Sequence, residues 1–180
     1  MNLNEYLQIW EQALNGDLYD DHYNTYLQLN KTRFKRIFKT FTPSPEFIAE
    51  VSKIKQPTLW IIITEPWCGD AAQNVPLLLK LIQTIPNANY TIELRDQSSL
   101  IEQYLTNGVK GIPKLIVRDY EGHDLFTWGP RTSEAQELFN ELRTKEVDRK
   151  VLYESLHGWY TKDNGKSLQV ELQTLIRSLN

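Results

Sequence analysis

The chain has 180 residues, of which 41% are hydrophobic and 24% are charged, and its formal net charge is −3. This composition is typical of a globular protein, and the small net charge gives no reason to expect binding to nucleic acid or to a membrane surface. The single cysteine excludes a disulfide within the chain and a metal site built from several cysteines.

The first 56 residues are predicted to form a helical extension. Apolar residues recur at helical spacing over residues 3–14, and the same spacing predicts two further helices over residues 19–29 and 33–41. Two prolines within residues 42–45 mark a boundary, because the residue before a proline disfavours helical geometry. We expect one more short helix between this boundary and the first strand.

The third predicted helix has a basic side opposite its apolar side. The basic residues are Lys31, Arg33, Lys35, Arg36 and Lys39. Such a surface can bind an anionic partner, but it is also the usual solvated side of an amphipathic helix. We favour the solvated interpretation.

A strand, a loop and a helix follow between residues 58 and 85. The strand, predicted over residues 58–64, is an unbroken apolar run, which is typical of a central strand covered on both faces. The loop contains Cys68, and the helix is predicted over residues 71–85. Pro76 lies inside this helix, where a proline removes a hydrogen bond and bends the helix axis.

Three more strands and two helices complete the sheet region. The strands are predicted over residues 90–95, 114–120 and 124–128, and the helices over residues 98–106 and 132–145. A parallel strand pair joined by a helix, followed by a hairpin, predicts a mixed sheet with helices on both faces.

Two further helices are predicted near the C-terminus, over residues 147–156 and 167–179. The segment between them, residues 157–166, contains Gly, Asp and Asn and is predicted to be a turn-rich loop.

Three motifs in this order resemble the thioredoxin family. The segment Trp-Cys-Gly-Asp-Ala at residues 67–71 is similar to the family motif Trp-Cys-Gly-Pro-Cys, and Pro76 matches the proline that bends the active-site helix. The segment Gly-Ile-Pro at residues 111–113 is similar to the cis-proline loop. The resemblance implies an α/β thioredoxin-like fold, with a mixed central sheet flanked by helices.

The resemblance also implies an organisation of the chain into three parts. Residues 57–146 would form the thioredoxin-like domain. Residues 1–56 would be a helical N-terminal extension, and residues 147–180 a helical C-terminal extension packed on the same core.

The chain departs from the family at three positions. The second cysteine of the family motif is Ala71 here, and the proline before it is Asp70. The buried acid that helps to move a proton in the family is Ile62. A dithiol–disulfide cycle within one chain is therefore impossible.

Cys68 is the predicted catalytic residue. It lies where a helix begins, and the unpaired N–H groups there favour the thiolate, whereas the nearby Asp70 carboxylate disfavours it. We expect a modestly lowered pKa, with Trp67 limiting access from one side. The alternative is an inert buried thiol, since free cysteines often pack as small hydrophobic side chains.

The resemblance implies a substrate groove beside the thiol. A cis bond before Pro113 would expose the backbone of Ile112, which in the family pairs with an extended substrate segment. Together with Trp67, Gly69 and Asp70, these two residues form the predicted substrate-binding set.

Other side chains near these motifs have two interpretations. Lys114 could add positive charge near the thiolate, and Arg131 could bind a carboxylate such as that of glutathione. We favour solvent-facing positions for both. Trp128, Trp159 and Tyr160 are expected to pack the C-terminal helices on the core.

The start of the sequence lacks the basic segment and apolar run of a signal peptide, and no apolar run is long enough to span a bilayer. We therefore expect a cytoplasmic protein, in a reducing compartment where a free thiol persists. The histidines, His22, His123 and His157, show no metal-ligand spacing, so we expect neither metal nor cofactor.

Two functional hypotheses follow. In the first, the protein is a monothiol oxidoreductase without a resolving cysteine, and Cys68 forms a mixed disulfide or is oxidised. Its partner would be a protein with a thiol or disulfide, or glutathione. In the second, the protein is a non-catalytic thioredoxin-fold binding module. We place the first hypothesis ahead of the second and expect no nucleic-acid or membrane partner.

Overall fold

A computed structural model describes residues 1–16 and 18–178 of the chain, without the side chains of residues 21 and 22. The strands are β1 (Thr58–Thr64), β2 (Ala88–Leu94), β3 (Lys114–Asp119) and β4 (Asp124–Trp128). The α-helices are α1 (Leu3–Leu14), α2 (Asp21–Thr40), α3 (Pro45–Val51), α4 (Gly69–Ile82), α5 (Ser133–Thr144), α6 (Arg149–Asp163) and α7 (Lys166–Arg177). A short 3₁₀ helix covers Leu100–Gln103.

The four strands form one mixed sheet with the order β2-β1-β3-β4. Strand β1 pairs in parallel with β2 and antiparallel with β3, and β3 pairs antiparallel with β4. Six of the seven residues of β1 are buried, as predicted for a central strand. Ile63 of β1 lies opposite Lys114 of β3, so the register brings the loop after β1 close to the loop before β3.

Helix α2 is a single helix of 20 residues, so the prediction of two separate helices is wrong. The residues at the predicted break contain neither glycine nor proline. Asn30, in the middle of the helix, is fully buried, and its amide donates to the carbonyls of Pro66 and Trp67 at 3.3 and 2.9 Å. The helix continues because this buried polar group finds its partners in another part of the chain.

The prediction of a loop over residues 157–166 is also wrong for most of that segment. Helix α6 continues to Asp163, and the connection to α7 consists of Asn164 and Gly165, both with left-handed φ values of 52° and 77°. Gly158 lies inside α6, at a cost of about 1 kcal/mol relative to alanine that tertiary packing offsets. The predicted end of the last helix, residue 179, lies outside the described residues.

Two smaller predictions also need correction. Helix α4 begins at Gly69, two residues before the predicted start, because Cys68 acts as its N-cap. The helix predicted over residues 98–106 is reduced to the short 3₁₀ helix. Asn107 and Gly108 form the turn that follows it, both with positive φ.

Helices α1, α2, α3 and α7 share one hydrophobic core with the sheet, whereas α5 and α6 form a second, smaller hydrophobic cluster. Helix α1 packs on α2, α2 on α4, and α3 on α7. Trp128 connects the core to α7 as expected, since its indole donates to Glu171 at 2.6 Å. Tyr160 and Trp159 pack together in the smaller cluster of α5 and α6 instead. Among the described residues, no helix has both the length and the apolar character needed to cross a lipid bilayer.

Candidate functional site

The candidate site is centred on the loop between β1 and α4. Cys68 ends this loop and is 9% exposed. Its thiol donates to the carbonyl of Ile112 at 3.4 Å, and its sulfur accepts the backbone N–H of Ala71 at 3.5 Å. The Ile112–Pro113 peptide bond is cis. The structure thus brings Cys68 together with the predicted groove residues Ile112 and Pro113.

The thiol of Cys68 is neutral at physiological pH. Burial and the nearby Asp70 raise its pKa to about 12, although the N–H groups of Ala71 and Asp70 and the Arg131 guanidinium oppose the shift. The expectation of a lowered pKa is therefore wrong. A helix N-terminus favours a thiolate, but here the cost of removing the charge from water is the larger effect.

Asp70 is buried and fully partnered on the side of the loop that faces α5 and α6. Its carboxylate forms an ion pair with Arg131 at 2.6 Å and accepts the Tyr160 hydroxyl at 2.8 Å. Burial raises the pKa of Asp70, while Arg131 and Tyr160 oppose that shift. We call Asp70, Arg131 and Tyr160 the closed side of the site.

Arg131 and Lys114 are not solvent-facing residues, contrary to the favoured interpretations. The Arg131 side chain is 13% exposed, and its guanidinium lies 3.9 Å from the centre of the Phe139 ring. Lys114 is 8% exposed, and its ammonium donates to Thr106 at 3.4 Å. Burial lowers the pKa of Lys114. The sequence did not indicate that these two side chains are buried, because the residues that cover them are remote in the chain or lie in an irregular loop.

Trp67 and Glu65 fix the other end of the loop. The Trp67 ring packs against Tyr23 at a tilt of 31°, with 4.5 Å between ring centres, and the Arg95 guanidinium lies 4.6 Å from the centre of the Trp67 ring. Glu65 is 1% exposed and accepts the Tyr19 hydroxyl at 2.6 Å, and burial raises its pKa. No local pattern indicated the role of Glu65, since its partner Tyr19 lies 46 residues away.

His157 covers the start of α4, although the sequence placed it in a loop. A Cβ atom added to Gly69 would lie 3.1 Å from its Nε2. Its Nδ1 lies 3.1 Å from the Gln73 amide nitrogen, and this orientation of the amide assigns the acceptor role to Nδ1. Burial and the nearby Arg33 lower the pKa of His157 to about 4, so the ring is neutral at pH 7.

A cleft of about 600 Å³ opens beside Cys68, between α2, the motif loop and the first turns of α6. The motif loop contributes Trp67, Cys68, Gly69 and Asp70 to its lining. A volume of this size is typical of small-molecule sites. The cleft therefore contains four of the six predicted site residues and adds a wall from α6 that the sequence analysis missed.

The basic residues of α2 do not form one solvated surface. Lys35, Arg36 and Lys39 are exposed, as favoured above. Lys31 is buried and forms an ion pair with Glu11, and Arg33 is half-buried and lines the cleft. The solvated interpretation is therefore wrong for Lys31 and Arg33.

A group of potential metal ligands lies elsewhere, at the turn between β3 and β4. Asp119, Glu121 and His123 come together there, and the His123 Nδ1 is 3.1 Å from the Asp119 carboxylate. This turn is at the opposite end of β3 from Pro113. Exposed acidic groups at a turn are commonly solvated without an ion. The side chain of His22 lies outside the described part of the structure.

Comparisons with known proteins agree on the fold. The sequence profile of the family described as Thioredoxin matches residues 16–144. No curated protein matches the chain.

Two solved structures are similar to this one. A protein of unknown function from Pseudomonas aeruginosa has a TM-score of 0.64 at 13% identity, over 87% of this chain and 91% of its own. An HIV epitope-scaffold protein has a TM-score of 0.58 at 14% identity, over 96% of this chain and 98% of its own. At such identities, these structures support the fold alone.

Proposed function

Because the chain belongs to the thioredoxin family, we propose that it is a thioredoxin-fold binding module in which the cleft beside Cys68 holds a ligand. The observation that carries this proposal is the state of Cys68. Its thiol is buried and donates a hydrogen bond to Ile112, so it acts as a neutral structural group.

The pKa of the thiol decides between binding and thiol chemistry. With a pKa of about 12, roughly one Cys68 thiol in 10⁵ is ionised at pH 7. A free cysteine is ionised to a few per cent at that pH. Attack on a disulfide requires the thiolate, so this difference of roughly a thousandfold disfavours catalysis.

The surroundings of the motif also support a binding role. Residue 71 is alanine, so the chain has no resolving thiol. Tyr160 and His157 of α6 lie against Asp70 and Gly69, so a helix covers part of the motif. These contacts bury the motif and build one wall of the cleft.

A second candidate function is the monothiol redox reaction, with a thiol-bearing protein or glutathione as partner. The observation in its favour is that Cys68 lines the cleft, so a disulfide bound there would meet its sulfur. The Cys68 thiolate would form a new S–S bond and expel the partner's other sulfur as a thiolate. An external thiol would then release Cys68.

Alkylation of Cys68 by iodoacetamide, measured against pH, tests the proposal. We expect the native protein to react at pH 7 at least about 100-fold more slowly than the urea-denatured chain, because the thiolate is the reacting form. The rate should rise about tenfold per pH unit, with no plateau below about pH 11. Rapid alkylation of the native protein, with an apparent pKa below about 8.5, would instead favour the redox candidate.

A further inference from the structure

The described cations and acids that line the cleft beside Cys68 are equal in number but unevenly paired. Its cations are Arg33, Arg149 and Lys150, and its acids are Asp70, Asp148 and Glu154. Asp70 is paired with Arg131 outside the cleft. Asp148 caps α6 by accepting the Lys150 backbone N–H at 2.8 Å, and Glu154 lies 4.0 Å from the Lys150 ammonium. Among the described residues, Lys150 therefore has an acid 4.0 Å away, whereas neither guanidinium group forms an ion pair.

Arg33 is held in place by a neutral side chain. Its guanidinium donates to the Asn30 side-chain oxygen at 3.1 Å, and the same Asn30 amide donates to the Trp67 carbonyl. Among the described residues, no carboxylate forms an ion pair with Arg33. Burial and the nearby Arg36 lower its pKa, as expected for a cation without a compensating anion. A half-buried guanidinium in this state favours an external anion.

Arg149 lies in the first turn of α6, on the wall of the cleft opposite α2 and Arg33. Its guanidinium lies 5.7 Å from the centre of the Tyr153 ring, and no described carboxylate pairs with it. The first turn of α6 contains no acidic residue. The Asp148 carboxylate at the N-cap satisfies the preference of the helix dipole for an anion and uses one of its oxygens on the Lys150 backbone N–H.

His157 supplies an uncharged donor to the same space. Its Nδ1 contacts the Gln73 amide nitrogen, which assigns the donor role to Nε2, and Nε2 lies next to Gly69 at the motif end of the cleft. No described residue accepts a hydrogen bond from this Nε2. A guanidinium and a neutral N–H donor suit the two oxygens of a carboxylate, since arginine binds this group with two parallel hydrogen bonds.

The remaining lining of the cleft is aromatic and apolar. The rings come from Tyr23, Tyr26, Trp67 and Tyr153, and Leu29 lies among them. Aromatic side chains bind flat ring systems through stacked and edge contacts. The volume of about 600 Å³ fits a small molecule better than an extended peptide.

We propose that the cleft binds small aromatic carboxylic acids, with the carboxylate on Arg33 and His157 and the ring among the tyrosines and Trp67. This proposal rests on the binding function proposed above and names the class of ligand. It requires no chemical step at Cys68.

Calorimetric titration of the full chain with 2-naphthoate and with the isosteric neutral 2-naphthamide tests the proposal. We expect the acid to bind at least about tenfold more tightly than the amide, because the amide lacks the charge that Arg33 compensates. Arg33→Gln should remove this difference. Arg36→Gln, one helical turn away at an exposed position, is the matched control and should preserve it.

A second variant covers the case in which Arg33→Gln does not fold. Arg33→Lys keeps the charge but not the two-pronged geometry, and we expect it to retain part of the preference. Equal binding of acid and amide would overturn the proposal, as would equal effects of the Arg33 and Arg36 substitutions. So would an absence of naphthoate binding at about 1 mM.

The failures of the two proposals are distinguishable. If the acid shows no preference while Cys68 remains unreactive to iodoacetamide, the ligand class is wrong and the binding function stands. If native Cys68 is alkylated rapidly at pH 7, the non-catalytic role fails, and any acid preference would then describe a ligand of a redox site.

Discussion

The two sides of the motif loop differ in how their charges are paired. On the closed side, the Asp70 carboxylate contacts both Arg131 and Tyr160, and all three side chains are almost fully buried. On the cleft side, the guanidinium groups of Arg33 and Arg149 have no carboxylate partner among the described residues. One side therefore has the charge arrangement of a structural core, and the other that of a binding site.

This difference explains how a thioredoxin-like motif can lose its usual chemistry and keep its shape. Asp70 replaces the family's proline and is bound by residues from α6 and from the loop before α5. The charge that would disfavour a thiolate is thus permanently placed beside Cys68. Substitution of single side chains on the closed side and in the cleft tests this difference in charge pairing.

The largest effect is expected from Arg131→Met, which keeps a long side chain against Phe139 but leaves Asp70 without its cation. Breaking a buried ion pair on one side typically costs about 3–5 kcal/mol. We expect the free energy of unfolding, measured by urea denaturation at pH 7, to fall by about this amount. Arg143→Gln, an exposed arginine near the same ring, should change it by less than about 0.5 kcal/mol.

The effect of Arg131→Met should also depend on pH. Without the guanidinium, burial raises the pKa of Asp70 further above its value in the unfolded chain. The folded variant then binds a proton more readily, so its stability rises as the pH falls through the folded pKa. The stability difference from the wild type should therefore be smaller at pH 5 than at pH 7. An equal difference at both values would contradict a charged Asp70.

His157 should produce the next largest effect, seen as a loss of stability in acid. Its folded pKa of about 4 lies below the model-peptide value near 6.5, so the unfolded state binds the proton first. Its contribution is present above pH 6.5 and is lost as the pH falls toward 4, by about 2–3 kcal/mol. In urea denaturation, the free energy of unfolding of His157→Gln should not show this loss in acid. His123→Gln, at an exposed turn, should still show it.

Tyr160→Phe should have a smaller effect on the same closed side. The substitution keeps the buried ring but removes the hydroxyl that donates to Asp70 at 2.8 Å. A hydrogen bond to a charged group contributes about 1.5–3 kcal/mol, and Arg131 still compensates the carboxylate, so we expect about 2 kcal/mol. Tyr153→Phe, seven residues earlier in α6, is the control for thermal and urea denaturation. Equal losses in the two variants would show that the hydroxyl contact contributes nothing.

The parts of the molecule that depend on local sequence were predictable. The apolar run of β1 and the Trp-Cys-Gly segment gave the central strand, the loop and the position of Cys68 correctly. The motif at residues 111–113 lies beside Cys68, as the resemblance implied. Each of these features is encoded within a few residues of the chain.

The electrostatic state of the site was not predictable in the same way. Asp70 and Tyr160 are 90 residues apart, and Gln73 and His157 are 84 residues apart. No local pattern pairs such residues, and the Gly and Asn residues near His157 suggested a loop instead of a helix. The burial that raises the pKa of Cys68 comes from these remote contacts, so its direction could not be read from the helix start alone.

The smallest effect is expected from Ala71→Cys, which restores the second cysteine of the family motif. The backbone nitrogen of residue 71 lies 3.5 Å from the Cys68 sulfur, so a thiol there is well placed to form a disulfide. Cys68 must still ionise to attack insulin, and its pKa of about 12 leaves roughly a thousandfold less thiolate than a free cysteine. We therefore expect insulin reduction by Ala71→Cys to match that of Ala72→Cys, a buried neighbour in the same helix. Activity clearly above this control would mean that the cleft side admits disulfides to a reactive Cys68. The contrast between a structural thiol and a separate binding cleft would then be wrong.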